Sequence, residues 1–166
     1  MKRTISLTLA VMALFLAACG PADSQIPAPG SENVEIPNPW ITCDTQSEAE
    51  KATALEIRVP DEIEGCPEKC YRAMSGDHLV LEILYQNEDS GEIRVRKASG
   101  TEDISGDYHT YADQMTAEIQ DAAVTLKGND GQFFLAVWTG DGYTYSITAS
   151  DPLPSDTMTA LVGTIQ

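Results

Sequence analysis

Basic side chains and histidines are scarce in this sequence. Its 166 residues include 10 lysines and arginines, 26 aspartates and glutamates and 2 histidines, so the formal net charge is −16. A polyanion of this kind is repelled by phosphate backbones, and we therefore expect no nucleic-acid partner. The acids are spread along the chain, and no stretch has the spacing of a calcium-binding loop. We attribute the charge to solubility, and we predict no metal and no cofactor.

The sequence also lacks the common catalytic motifs. It contains no G-x-S-x-G, H-E-x-x-H or phosphate-loop pattern. His78 begins a predicted strand beside Asp77, and His109 follows Asp107 in a predicted loop, so both histidines fit exposed turn or edge positions. We therefore predict a non-enzymatic protein. A hydrolase is the weaker alternative, because catalytic groups also assemble from distant positions in a chain.

Long apolar runs are missing as well. A transmembrane helix needs about 20 apolar residues, and the run from Ile5 to Ala18 is shorter than that. This run follows Lys2 and Arg3, which is the order of an export signal: a basic region, an apolar region and a cleavage site. We therefore expect the protein to be exported and not to span the membrane.

The end of the apolar run predicts a lipid anchor. The segment Leu16-Ala17-Ala18-Cys19, followed by Gly20, resembles the lipobox of bacterial lipoproteins. The resemblance implies cleavage before Cys19, a diacylglycerol on its sulfur and usually a fatty acyl chain such as palmitate on its amine. Two or more chains hold a protein stably on a membrane. The alternative is a plain secretory signal that is cut before an unrelated cysteine.

The composition divides the chain into three parts. Residues 1–18 form the signal, residues 19–39 are rich in proline and predict an extended tether, and residues 40–166 predict a single domain. Loss of the signal removes Lys2 and Arg3, which changes the net charge from −16 to −18. The expected location is extracytoplasmic, on the cell membrane or, in a cell with two membranes, on the outer membrane.

Alternating apolar residues predict an α+β domain built on an antiparallel meander of about six or seven strands. Residues 79–85 and 133–138 are apolar on both faces, which favours central strands. Residues 93–96 alternate between apolar and charged, as in a strand with one face in water. Residues 143–148 predict a last strand with one packed face and one hydroxylated face.

Two helices should accompany this sheet. Thr45 and Glu48 have the spacing of a capping box and predict a short helix near the start of the domain. Ser155 is the predicted cap of a C-terminal helix that packs its apolar stripe on the sheet. The stripe consists of Met158, Leu161, Val162 and Ile165.

The order of these segments resembles an uncharacterised extracytoplasmic domain family. Its most specific part runs from Trp138 to Val162 and includes "VWTGDGYTYSITAS" and "LPSDTMTALV". Domains of that family occur in lipoproteins of mostly Gram-positive bacteria and in membrane-bound proteins similar to anti-sigma factors. The resemblance implies an α+β domain with a ligand- or partner-sensing role, and it brings no catalytic residues. The sequence departs from the family pattern at residues 64–70, "EGCPEKC".

Three cysteines remain once Cys19 is acylated. Cys43, Cys66 and Cys70 would lie outside the cytoplasm, where disulfides persist, yet three thiols cannot all pair within one chain. A bridge from Cys43 to either partner would contribute about 3–4 kcal/mol to stability. A Cys66–Cys70 bridge would need a turn between the two residues. Reduced thiols are the third alternative.

Aromatic residues crowd the last two predicted strands. With the C-terminal helix they outline a candidate apolar groove made of Phe133, Trp138, Tyr143, Tyr145, Met158 and Leu161. Filling of the core is the simpler interpretation of these side chains. Two functional hypotheses follow: a non-enzymatic binding module for a protein or envelope ligand, or a carrier or sensor of lipid-like molecules that uses the groove.

Overall fold

The computed structural model describes residues 38–89 and 91–166. The predicted signal segment, the lipidation site Cys19 and nearly all of the predicted tether lie outside these residues. The strands of the described chain are β1 (Trp40–Cys43), β2 (Glu68–Met74), β3 (Val80–Gln86), β4 (Glu92–Ser99), β5 (Asp113–Ile119), β6 (Ala122–Asn129), β7 (Gln132–Gly140) and β8 (Tyr143–Pro154). The helices are α1 (Gln46–Thr53) and α2 (Ser155–Val162).

These strands form one antiparallel sheet in the order β1-β2-β3-β4-β8-β7-β6-β5. β1 to β4 make one meander and β5 to β8 a second, and the two meanders join where β4 pairs with β8. The connection from β4 to β5, residues 100–112, therefore runs from the middle of the sheet to its far edge. The predicted α+β class, with an antiparallel sheet and two helices, is confirmed.

The predicted number of strands was too low, since the sheet has eight. β1 and β2 were missed because their sequences, WITC and EKCYRAM, do not alternate clearly between apolar and polar residues. β3 and β7 are interior strands, as their apolar sequences predicted.

One face of the sheet carries the main core and both helices, and we call it the helix face. Leu81, Val95 and Ile147 come from three adjacent strands and are fully buried there. They belong to the same apolar cluster as Ala49 of α1 and Met158 of α2. The stripe of α2 therefore packs on the sheet as predicted.

The opposite face, which we call the polar face, carries charged and hydroxyl side chains beside buried apolar ones such as Val80 and Leu84, and much of it is buried. Glu82 of β3 and Thr144 and Ser146 of β8 are each at most 1% exposed. The last strand has the predicted hydroxylated face, and that face is buried. The charged face of β4 was predicted to lie in water, but it is largely covered because residues 100–112 lie over this side, and only 11% of the Arg96 side chain is exposed. Arg96 of β4, for example, donates to the carbonyl oxygens of Ile104 and Ser105 in that connection.

The two helices begin in different ways. Thr45 caps α1 as predicted, because its hydroxyl oxygen accepts from the Glu48 N–H at 3.3 Å. The predicted Ser155 cap is wrong: Pro154 is the N-cap of α2 and makes no capping hydrogen bond, and the Asp156 carboxylate accepts from the Thr157 N–H at 2.9 Å instead. β8 leads directly into α2, so Ser155 is already the first helical residue.

Cys43, Cys66 and Cys70 are free thiols in the described chain, so the predicted disulfide is not formed there. The register explains this for the pair on neighbouring strands. Cys43 lies opposite Tyr71 and Cys70 is the next residue along, so the two side chains point to opposite faces of the sheet. Cys66 is buried in the apolar cluster. Burial raises the pKa of the Cys66 thiol, and burial together with Glu48 raises that of Cys43.

Candidate binding cleft

A cleft of about 490 Å³ opens on the polar face of the sheet. Its walls are the start of β4, the end of β6, the start of β7, the middle of β8 and part of the 100–112 connection. The side chains that matter below are Arg94, Asp107, His109, Tyr111, Phe134 and Thr148. The volume lies within the range of sites for small organic molecules.

An irregularity between β7 and β8 makes room for the cleft. Phe133 pairs with Leu153 and Leu135 pairs with Thr148, so residues 149–152 of β8 lie opposite Phe134 alone. Pro152 falls within this stretch and has no N–H group to donate to a neighbouring strand. The extra residues of β8 interrupt the regular ladder beside the cleft, as bulges do near many binding sites.

Below the cleft, Glu82 gathers three arginines. Its side chain is fully buried and accepts from Arg72 Nε at 2.5 Å and from Arg96 Nε at 2.7 Å. Arg94 Nε lies 3.3 Å from Glu82 Oε2, which makes an ion pair. This nitrogen has no hydrogen-bond partner among the residues that the structure describes. Arg94 also forms an ion pair with Glu92. These groups form a charged layer, which we call the Glu82 network.

The Glu82 network fixes part of the 100–112 connection. Residues 105–107 and 109–111 of this connection line the cleft, and we call them the outer wall. Arg96 Nη1 donates to Ile104 O at 2.9 Å and to Ser105 O at 2.7 Å. Gly106 follows with φ 67°, and a Cβ atom there would lie 2.7 Å from Arg96 Nη1. The Trp40 ring packs against the guanidinium groups of Arg72 and Arg96. Its centroid lies 5.2 Å from Arg72 Cζ and 5.1 Å from Arg96 Cζ. β1 thus supports the network from the sheet edge.

Asp107 organises the outer wall. Its carboxylate accepts from the His109 N–H at 2.8 Å and from His109 Nδ1 at 2.7 Å, and it also accepts from the Tyr111 hydroxyl. Burial raises the pKa of Asp107, but these hydrogen bonds outweigh that effect and hold the pKa below its ordinary value. Burial and the nearby carboxylate raise the pKa of Tyr111. Asp107 is therefore ionised and Tyr111 neutral at physiological pH.

Two aromatic rings join the outer wall to the sheet. Tyr111 stacks on Phe134 of β7 with ring centroids 5.7 Å apart and an angle of 24° between the planes. Both side chains are half-buried and both line the cleft. The pair gives the cleft an apolar surface beside the polar groups of Arg94 and Thr148.

The residues of the predicted apolar groove lie elsewhere, on the helix face. Phe133, Trp138, Tyr145 and Met158 are buried in the apolar cluster, and Tyr143 and Leu161 are half-buried against it. Trp138 and Tyr145 stack on each other at 5.3 Å. A smaller cleft of about 200 Å³ lies at the C-terminal end of α2, and Trp138 and Tyr145 are among the residues that line it. Met158 is fully buried, and this favours the core interpretation for the part of the predicted groove that lies beneath α2.

The residues of the polar cleft were not predicted from the sequence. His109 is exposed as predicted, yet it stands in the cleft wall beside Asp107, whereas His78 is exposed outside it. One signal was available in the sequence. Glu82 interrupts an apolar strand, and a buried acid needs basic partners such as those of the neighbouring strand β4.

Other kinds of site receive no support from residues 38–89 and 91–166. In that part of the chain, no group of three or more His, Cys, Asp or Glu side chains is arranged to hold a metal ion. No helix in the same residues has the length and apolar character needed to cross a membrane. Comparisons with models of known protein families, with curated protein sequences and with solved structures found no match.

Proposed function

We propose that this chain is a lipid-anchored extracytoplasmic protein that binds a cell-envelope ligand through the polar cleft and catalyses no reaction. The observation that carries the proposal is a cleft of about 490 Å³ whose walls are held from below by the Glu82 network. Binding sites need side chains with fixed positions, and buried ion pairs with several hydrogen bonds supply them.

The proposed location rests on the N-terminal sequence. A basic region, an apolar run and the lipobox-like segment ending at Cys19 support export followed by attachment through lipid. The proline-rich residues 19–39 would then hold the domain away from the membrane surface. A cleft on such a domain would meet components of the cell envelope.

The Asp107–His109 pair alone does not support catalysis. A catalytic histidine usually activates a nearby hydroxyl or thiol in a site that excludes water. The His109 side chain is 84% exposed, and its hydrogen bonds in the described chain go to Asp107. The arrangement is therefore better suited to fixing the outer wall than to proton transfer.

Site-specific crosslinking in cells tests the proposal. Thr110 is exposed and lines the cleft, so a photoreactive benzoylphenylalanine in its place samples whatever binds there. Thr157 is an exposed residue of the same type on α2, and it serves as the control position. We expect an adduct with one envelope component at position 110 and none at position 157. The absence of an adduct at both positions, or the same adduct at both, would contradict the proposal.

The carrier hypothesis gives a different result. A noncovalent lipid-sized adduct in native mass spectrometry, in addition to the covalent lipid on Cys19 and with no crosslink at position 110, would favour the groove beneath α2 over the polar cleft.

A further inference from the structure

We propose that the ligand of the polar cleft is a neutral carbohydrate, whose ring packs on Tyr111 and Phe134 and whose hydroxyls bond to the polar residues around them. This inference rests on the proposed function, because it names the chemistry of the ligand that the same cleft binds. It follows from three properties of the cleft: its aromatic surface, its uncharged hydrogen-bonding groups and its internally paired charges.

The aromatic surface suits a sugar ring. Tyr111 and Phe134 stack at 5.7 Å, and each is half-buried, so each keeps part of its ring surface open to the cleft. The faces of aromatic rings are electron-rich. The C–H groups on one side of a pyranose ring form an apolar surface with partial positive charge, which complements such a face.

The polar side chains beside the two rings can form hydrogen bonds with the hydroxyls of a sugar. Asn129, at the end of β6, lines the cleft, and its Oδ1 accepts from the Ala112 N–H at 2.9 Å, which orients the amide and leaves its NH₂ group as a donor. Thr148 supplies a hydroxyl that both donates and accepts, and it lies opposite Arg94 in the β4–β8 ladder. A sugar offers neighbouring hydroxyls that also donate and accept. A purely apolar ligand would leave these polar groups unpaired, at a cost in affinity.

The charges of the cleft are already paired within the protein, and this points to a neutral ligand. Arg94 pairs with Glu92 and adjoins Glu82, while Asp107 is occupied by His109 and Tyr111. An anionic ligand would also be repelled by the many acidic side chains of this chain. A cationic ligand would have to compete with Arg94 and His109 for the acids.

Calorimetric titration tests the inference. We would use the full chain in mild detergent and four neutral tetrasaccharides: cellotetraose, chitotetraose, maltotetraose and mannotetraose. We expect at least one of them to bind. Tyr111→Ala should weaken its binding by about tenfold or more, because the ring is lost, whereas Tyr111→Phe should stay within about threefold.

Tyr108→Ala is the matched control. Tyr108 is 96% exposed, is absent from the cleft wall and lies three residues from Tyr111, so its loss should leave the affinity unchanged. Phe134→Leu provides a second cleft variant if Tyr111→Ala unfolds, as judged by circular dichroism, and it should also weaken binding by about tenfold.

Two results would overturn the inference: none of the four tetrasaccharides binds, or one binds equally well to wild type and to both cleft variants. The crosslinking experiment separates the two proposals. If Thr110 still reports an envelope component while no tetrasaccharide binds, the carbohydrate inference fails and the proposed function stands. If neither experiment gives a signal, both fail.

Discussion

Glu82 interrupts an otherwise apolar strand, and the two neighbouring strands supply its partners. Arg72 of β2 and Arg96 of β4 are its cross-strand neighbours, and each donates to a different oxygen of the carboxylate. A fully buried acid is strongly disfavoured without such partners. The same arginines hold Trp40 and residues 104–105, so one buried carboxylate connects β1, the central strands and the cleft wall.

Replacing Glu82 should therefore destabilise the fold. We expect Glu82→Gln to lower the free energy of unfolding by about 3 kcal/mol, measured by urea denaturation. This value is at the low end for a broken buried ion pair, because Arg72 and Arg94 keep 27% and 28% of their side chains exposed and water can partly replace the carboxylate. Glu118→Gln is the matched control on the exposed side of β5 and should change stability by less than about 0.5 kcal/mol. Equal effects of the two variants would contradict this account.

At the scale of helices and strands, some local signals, such as a turn and the cap of α1, were predictable, and long-range contacts were not. The Asp141-Gly142 turn joins β7 to β8 with φ angles of 53° and 83°, which these two residue types tolerate at low cost. The start of α1 was predictable from Thr45, because a helix cap depends on residues that are only three apart in the sequence. The pairing of β4 with β8, and the path of residues 100–112 over the polar face, depend on segments far apart in the chain. The cleft lies where these segments meet, so its composition could not be read from neighbouring residues.

The two helix starts give a paired prediction. Thr45→Ala removes a hydrogen bond to the Glu48 N–H and should lower the free energy of unfolding by about 1 kcal/mol. Ser155→Ala removes no capping bond at the start of α2, so its effect should stay within about 0.5 kcal/mol. Thermal or urea unfolding of both variants measures the difference. A larger loss for Ser155→Ala than for Thr45→Ala would mean that the hydroxyl of Ser155 does cap α2 in solution.

At the scale of the whole molecule, the net charge and the predicted lipid anchor are consistent with each other. The chain has 26 acidic residues against 10 basic ones, and Lys2 and Arg3 belong to the predicted signal. A protein with this charge is repelled by anionic lipid headgroups, so its surface alone would not hold it on a membrane. A covalent lipid on Cys19 would then be responsible for attachment.

Removal of Cys19 tests the proposed anchor. We expect Cys19→Ser to abolish incorporation of labelled palmitate and to prevent cleavage at the lipobox, so that a longer, unacylated chain accumulates. Cys43→Ser is the control, because this half-buried thiol at the end of β1 has no part in the proposed anchor. Labelling, gel mobility and membrane fractionation report the outcome. Unchanged labelling of Cys19→Ser, or unlabelled wild type in the soluble fraction, would contradict the lipoprotein prediction.

Because β8 is the last strand of the chain and lies in the middle of the sheet, the sheet cannot be completed until β8 has been synthesised. Synthesis proceeds from the N-terminus, so β4 and β7 exist before the strand that pairs with both of them. Until β8 arrives, the two meanders each carry an open edge of unpaired backbone groups, which invites pairing with other chains. Residues 148–150 of β8 line the cleft, and it is therefore among the last features to form. A chain cut short before β8 would lose the cleft together with the junction of its two meanders.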